Sequence, residues 1–529
     1  MSALDRHDRF LLIPAKPAPN GDLHIGHLGG PYLRQDMLRR HYLSRGASVT
    51  VVGGTDPVDS FIALRAAQDG RDPGEVAADH FERIRTDFAA CDIVFDAFID
   101  PLSPHWRDRY SASFDEVLAR ADASGRLRSD TVPFPFRGDG GPAASGAWLC
   151  GACPDCGAGV AGYFCEDCGA HFEPSEVREP RPRFPGRDLV FLAEPDYFFD
   201  IADPGALLAS LARLGVPGDL RAVVARQFRA GRTRVRLSEP SEWGVPLEPG
   251  SRRRYFGHGL LYGYCRLLGD LYRDLSGDPV HPFDAGSPVT AVNLFGIDNT
   301  VSHLVNIQAV GEETEGWKGF DAFVVNRFLL LEGSKISTSA RHLVRARDLV
   351  GRCGMESDGV RFALAATSPT RAEVDLRADD VVRVHNDVLL ARVCRAMTQV
   401  AEEIQGTPAA GATAEVTARF EEVFARVCEG HRFAVYDPAE QVANVLEWLA
   451  ARPPAGDPGG QGWLKALALL LYPITPRLAV WAWRSAGGDG DPAYAAYRWP
   501  TEPRRHAPPP VPAPVAAARI RTAIPVVAA

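Results

Sequence analysis

Two apolar, β-branched runs stand near the start of the chain, RFLLIPA at 9–15 and SVTVVG at 48–53. Each ends in Pro or Gly and neither alternates, the pattern of parallel strands buried on both faces. Between them Leu33, Met37, Leu38 and Tyr42 recur at helical spacing, and Gly46 suits a helix stop. The three segments predict a βαβ unit opening an α/β domain. From about 116 to 231 the periodicity breaks into Cys-rich hairpins and an Arg-rich mixed stretch, read as an insertion. Strand-like runs resume at 290–296 (TAVNLFG) and 322–331 (AFVVNRFLLL), and from 378 the pattern is helical. VVRVHNDVLLARVCRAMTQVAEEI and LKALALLLYPITPRLAVWAWRSA carry that helical period, whereas 501–529 is Pro/Ala-rich and reads as a loose tail. The expected units are therefore 1–115 and 232–330 as the halves of one domain, 116–231 as the insertion, 331–377 as a loop and contact region, and 378–500 as a helical domain. No internal repeat is found.

Size and composition bound what this pattern can be. At 529 residues the chain exceeds what one core supports, so about two to four structural units are expected. With 46% hydrophobic and 9% aromatic residues, wholesale disorder is excluded. No apolar run reaches the ~18 residues of a membrane helix, and MSALDRHDRF lacks a secretory pattern, so a cytoplasmic protein is expected. The net charge of -9 argues against a strongly basic nucleic-acid surface. Of 58 basic residues only Lys16, Lys318, Lys335 and Lys465 are lysines, which makes each worth locating.

Five of the 10 cysteines fall between 150 and 168. Cys153 and Cys156, then Cys165 and Cys168, form two CxxC pairs eight residues apart, the spacing of a zinc knuckle. Four thiolates leave no open position for water, so this zinc is expected to be structural. Cys150 makes an overlapping CxxC and is an alternative ligand.

Chemistry-bearing residues cluster at two further places. His24-Ile25-Gly26-His27 follows the first strand and opens the first helix, preceded by the turn Pro19-Asn20-Gly21. Imidazoles at i, i+3 share a helix face, Gly26 admits close approach to the backbone, and a helix start favours phosphate. Glu332-Gly333-Ser334-Lys335-Ile336-Ser337-Thr338-Ser339 follows a strand and carries an ammonium with several hydroxyls, groups that can close over phosphates. Taken alone either motif reads as an ordinary surface turn. Together they resemble the HIGH and KMSKS signatures of class I aminoacyl-tRNA synthetases, and with the knuckle the chain resembles a methionyl-tRNA synthetase over roughly 9–500. Gly54-Thr55-Asp56, Asp196-Tyr197-Phe198-Phe199, Trp243-Gly244-Val245-Pro246, Phe295-Gly296-Ile297-Asp298 with His303, Asp358, Arg361, Pro473 and Pro476 carry the likeness further.

The resemblance implies a Rossmann-type HIGH/KMSKS catalytic domain with a zinc-knuckle insertion and a C-terminal α-helical bundle. It implies ATP-dependent formation of an aminoacyl-adenylate with loss of pyrophosphate, with Mg2+ accompanying ATP and a structural Zn2+. His24 and His27 would stabilise the phosphates and Lys335 the leaving pyrophosphate. Asn20, Gly26, Asp298, Ser337, Thr338 and Ser339 complete the implied ATP site. Asp56 would pair with the α-ammonium of the amino acid, and Ala18, Tyr255, His258, Ser302 and His303 would line its side-chain pocket.

Departures from the family pattern cluster in that pocket. Ala18 stands where the family has tyrosine, Tyr255 where it has tryptophan, and Ser302 where it has an aromatic. Val58 and Asp59 follow Asp56 in place of a family histidine and glycine, and Phe256-Gly257-His258-Gly259 departs from an Asp-Ala-Pro run. Exchanging aromatics for Ala or Ser opens space that a thioether chain does not fill. Thr338 replaces the second lysine of KMSKS, a loss of about 3 kcal/mol at a transition state. The family's anticodon-reading motif falls near Cys394–Thr398 without its base-edge donors, and only Trp448 stands near its tryptophan loop. The expectation is adenylation of an amino acid other than methionine and its transfer to a small-molecule hydroxyl or hydroxylamine acceptor. Methionyl-synthetase-like domains in hydrazine-forming enzymes are joined to a cupin, here a candidate separate partner. A housekeeping methionyl-tRNA synthetase and an inactive binding paralogue are the competing readings.

Overall fold

The computed structural model describes residues 8–138, 140–183, 188–336, 342–507, 509 and 511–523. Its centre is a five-stranded parallel sheet built from β1 (Arg9–Pro14), β2 (Ser48–Gly54), β3 (Ala97–Ile99), β4 (Thr290–Gly296) and β5 (Ala322–Asn326). The strands lie in the order β5–β4–β1–β2–β3, so the strand order reverses between β1 and β4. The unbroken apolar run of β1 has a simple cause. Phe10 and Leu12 pack into a core shared with the C-terminal helices, while Leu11 and Ile13 pack into a second core on the other face.

The segment after β1 forms the helix expected between the first two strands, in three pieces: Ile25–His27, Leu28–Tyr32 and Leu33–Ser44. Gly30 leaves helical geometry and Pro31 supplies no amide, so the helix kinks between them. Asp36, Met37 and Leu38 on the third piece are fully buried.

Three boundaries differ from the sequence expectation. Helix Arg107–Ala123 runs through position 116, because Tyr110, Phe114 and Val117 are buried in the second core. The insertion therefore begins at the strand Leu127–Arg137, which pairs along its length with Leu189–Asp200. It also continues past 231, since Arg234–Arg236 adds to that same sheet. Finally, the apolar run 322–331 divides at Arg327–Phe328: β5 ends at Asn326, and Leu329–Leu331 starts a separate small sheet with Ser334–Lys335 and Val374–Leu376.

The C-terminal half is helical, as the periodicity predicts, with Gly460–Leu471 buried along its whole length. Its junction with the sheet domain is polar and dry. Arg361, on helix Ser357–Ala366, pairs with Asp36 at 2.7 Å, both side chains being 0% exposed. The same guanidinium donates to the carbonyls of Pro473, Ile474 and Cys91 at 2.7, 2.9 and 3.0 Å. Asp358 accepts from the amide of Leu478 at 2.7 Å. The tail is not loose within the described residues. Val515, Ile520 and Ala523 are buried against the helices, and Asn386 exchanges hydrogen bonds of 2.8 and 3.0 Å with the backbone of Val515. Among the described residues no helix is long and apolar enough to cross a membrane.

Candidate active site

Loops after β1, β2, β4 and β5 meet at the carboxyl ends of the strands, where the strand order reverses and open α/β sheets bind ligands. The loop after β1 is pinned at both ends. The amide of Ala15 donates to Leu294 O at 2.7 Å, and that of Asp56 donates to Pro17 O at 2.9 Å, tying it to the loop after β2. A cleft of about 340 Å³ opens there.

His24 caps the first helical turn in an extended conformation, φ −107° and ψ 168°. Its ring stacks on that of His27 with centroids 3.7 Å apart and an interplanar angle of 20°. A Cβ on Gly26 would come within 3.0 Å of the His24 ring, so glycine is what permits the stack. Burial pushes His27 down to about 4, and burial together with the neighbouring His27 pushes His24 well below the usual imidazole range. Both rings are therefore neutral at working pH. Each Nδ1 accepts a long backbone hydrogen bond, His24 from the His27 amide at 3.3 Å and His27 from the His24 amide at 3.4 Å. The proton of each ring accordingly sits on Nε2, giving two neutral N–H donors.

Facing them, Lys335 lies on a two-residue strand paired with Leu330, reached through a tight turn in which Glu332 and Gly333 both have positive φ. Its Nζ sits 2.5 Å from Glu166, the residue after Cys165 in the knuckle. Burial alone would lower this ammonium's pKa, but Glu166, with Asp167 and Asp298 farther off, holds it above the ordinary value. Burial, then the nearby Glu166 charge, pushes Asp298 up to about 6.

The floor of the cleft is polar. Asp56 follows β2 in a loop fixed by Tyr264, whose hydroxyl donates to Thr55 O at 3.0 Å, and by Trp243, whose Nε1 donates to Pro57 O at 3.0 Å. Burial, then the charge of Asp59, pushes Asp56 up to about 6, against the pull of His258 and Lys16. Lys16 Nζ donates to Cys265 Sγ at 3.6 Å and lies 5.2 Å from the Tyr264 ring centroid. Among the described residues it has no carboxylate within ion-pair distance. His303 stacks on Phe295, and burial pushes its pKa well down. Asn293 Nδ2 donates to Ile13 O at 2.9 Å, which turns its Oδ1 toward His303 Nδ1 at 2.5 Å. That fixes the His303 proton on Nδ1 and leaves Nε2 as an acceptor.

The expected nucleotide-side residues His24, Gly26, His27, Asp298 and Lys335 thus line one cleft, as do Ala18, Asp56, His258 and His303 from the expected amino-acid side. Three expected residues do not line it. Asn20 stays in the turn before His24, and Ser302 is buried. The hydroxyl of Tyr255 donates to Asp115, and its ring borders a smaller cavity behind Asp56 and His258. Ser337, Thr338 and Ser339 lie outside the described residues. Glu166 and Asn326 line the cleft although no sequence motif singled them out, as does Asp59, which stands where the family has glycine. The only sequence trace of Glu166 is its place between two metal-type cysteines.

The knuckle is built from two matching turns. Gly157 and Gly169 follow each CxxC with φ of 79° and 73°, closing the turns with hydrogen bonds of 3.0 and 2.8 Å to Cys153 O and Cys165 O. The Sγ atoms of Cys153, Cys156, Cys165 and Cys168 all lie within 4.8 Å of one another, with Cys153–Cys168 at 3.7 Å and Cys156–Cys165 at 3.6 Å. Tetrahedral Zn–S bonds of about 2.3 Å place sulfurs about 3.8 Å apart, so these four residues fit a zinc ion. Cys150 is outside this cluster, on the strand Leu149–Ala152.

Residues 11–401 match the family of class I (M) tRNA synthetases. A methionine–tRNA ligase of Bifidobacterium animalis is 26% identical over 90% of this chain and 83% of its own length. One from Methanopyrus kandleri is 26% identical over 90% and 75%. The Mycobacterium tuberculosis methionyl-tRNA synthetase bound to methionyl-adenylate shares the fold, with a TM-score of 0.72 at 17% identity over 96% of this chain and 100% of that one. With the match spanning most of its length, the chain belongs to the methionyl-type class I tRNA synthetases and is an ATP-dependent ligase.

Proposed function

We propose that the cleft activates an amino acid other than methionine as its adenylate and passes the acyl group to a small hydroxyl or hydroxylamine acceptor. The observation that carries this reading is the polar floor: Lys16, Asp59 and His258 stand beside the family-matched Asp56 and His303 around the space where a thioether side chain requires apolar walls. In this reading the Nε2–H groups of His24 and His27 donate to ATP phosphate oxygens as charge builds in the transition state. Lys335 leaves Glu166 to meet the departing pyrophosphate, with Gly26, Asp298, Ser337, Thr338 and Ser339 completing the nucleotide site and Mg2+ accompanying the triphosphate. Asp56 pairs with the α-ammonium, while Ala18, His258 and His303 line the side-chain pocket. Zinc held by Cys153, Cys156, Cys165 and Cys168 is structural, since all four positions are thiolates. A separate cupin would act on the ester after transfer.

A second reading, charging of a methionine tRNA with methionine, is favoured by the near full-length match to proteins named methionine–tRNA ligase. Supplying the protein with ATP, an amino-acid panel, and either tRNA transcript or small hydroxylamines separates the two. Robust methionylation of tRNA would sink the first. Pyrophosphate exchange with no amino acid at all would leave only the inactive binding paralogue.

A further inference from the structure

Beside the cleft lies a second cavity of about 400 Å³, between the knuckle, the C-terminal end of helix Gly218–Arg229 and the segment Ser302–Ile307. Its volume is in the range of small-molecule sites. His258 is the residue common to the walls of cleft and cavity. It is held there by Asn306, whose Nδ2 donates to His258 O at 3.0 Å, and by Phe164 and Phe256, whose ring centroids lie 5.4 and 5.6 Å from its own.

The rest of the wall combines apolar faces with charges of both signs. Phe164, Phe172 and Phe256 supply aromatic surface. Arg232 sits between Asp155 at 2.8 Å and Glu176 at 2.9 Å, and Arg236 pairs with Glu173 and Asp196. Arg232, Arg236, Glu173 and Glu176 border the cavity and not the cleft. His171 adds a ring whose nitrogens have no hydrogen-bond partner among the described residues, although its backbone is clamped by Gln227 at 2.7 and 3.2 Å. Burial pushes it down to about 3, so it faces the cavity as a neutral donor and acceptor.

The geometry points to this cavity as the acceptor site: it takes a small zwitterion of amino-acid type whose carboxylate and ammonium meet Arg232 and Glu173/Glu176, whose aliphatic chain lies on the phenylalanines, and whose terminal hydroxyl or hydroxylamine reaches the cleft past His258. This rests on the small-acceptor reading above. In the transfer, the acceptor oxygen forms a bond to the adenylate carbonyl carbon. The bond from that carbon to the phosphate oxygen breaks, AMP leaves with the electron pair, and the acceptor's proton passes to the His258 ring. A neutral side-chain amine or an apolar alcohol lacks the paired charges that this wall would hold, so the zwitterion is the class the lining selects.

The two half-reactions separate the tests. Amino-acid-dependent ATP–pyrophosphate exchange reads activation, and AMP release driven by serine, lysine, ornithine or the ω-N-hydroxy forms of the last two reads transfer. Ala230→Trp plugs the cavity from an exposed helix C-terminus of ordinary backbone geometry, and Glu176→Gln removes one charge with little loss of volume. The expected result is exchange within about twofold of the parent and an acceptor KM raised at least about tenfold in both variants. An acceptor KM unmoved in both would overturn the assignment while leaving the small-acceptor reading intact. AMP release driven by tRNA transcript and by none of the zwitterions would remove the reading beneath it.

Discussion

The polar junction between the sheet domain and the helical bundle predicts a large, specific loss of stability on Arg361→Met. The substitution keeps the aliphatic stem of the side chain and removes a guanidinium that serves Asp36 and four backbone carbonyls. Breaking a buried pair by removing one partner costs about 3–5 kcal/mol, chiefly because the other charge stays buried. Asp36 keeps Arg40 at 2.7 Å and the Val94 amide at 3.1 Å, which softens that term, but the orphaned carbonyls add to it. About 4 kcal/mol is the expected total. Urea unfolding read by the buried Trp448, Trp463 and Trp483 reports on the bundle directly. With a slope of about 2–3 kcal/mol per molar, the midpoint should fall by about 1–2 M. Arg426→Met, which removes a half-exposed pair with Glu447, should shift it by less than about 0.5 M. Burial pushes Asp36 upward, but Arg361 and Arg40 outweigh it and hold the carboxyl below its usual range. The contribution of the pair is therefore complete above about pH 4 and fades as pH falls below it. Equal midpoints for the two Arg→Met variants would refute this account of the junction.

Other expectations concern the cleft. Replacing His24 or His27 by Ala should slow pyrophosphate exchange about 10²–10³-fold, and Gln, whose amide nitrogen reaches the Nε2 position, should retain more activity than Asn; Asn equalling Gln would contradict the Nε2–H assignment. With Asp56 pushed up to about 6, the carboxylate is about one-tenth ionised at pH 5 and nine-tenths at pH 7, so the KM for the amino acid should fall about tenfold across that range. A flat profile, or one that survives Asp56→Asn, would sink the α-ammonium role. Glu166→Gln frees Lys335 from a half-exposed partner, and the KM for ATP should drop about two- to fivefold, whereas a rise would show that Glu166 helps to bind the nucleotide.

Where local pattern and global structure agree, the chain could be read directly. The run Arg9–Pro14 is apolar throughout because each face meets a different core, and the two CxxCG turns need only their own cysteines and glycines. His24 and His27 were legible for the same reason, since stack and cap are made within four residues. What stayed hidden depends on partners distant in sequence. Glu166 looks like a solvated knuckle residue until Lys335 arrives 169 positions later. The Pro/Ala-rich tail carries little sign of order, because its anchor, Asn386, lies 129 residues before Val515. Trp448, which stands near the position of the family's tryptophan loop, is buried and donates to Trp463 O at 3.2 Å. Lys16 shows the opposite case: its position before the His24 turn was plain, but that it has no carboxylate partner among the described residues could be seen only in the folded cleft.

An activation site that keeps His24, His27 and Lys335 serves an amino-acid pocket unsuited to methionine. The most direct test of this claim is kcat/KM for ATP–pyrophosphate exchange across the twenty amino acids, in the absence of tRNA. A small or polar amino acid should exceed methionine by at least about tenfold, the discrimination that a few unmatched side-chain contacts provide. Methionine as the best substrate would contradict it.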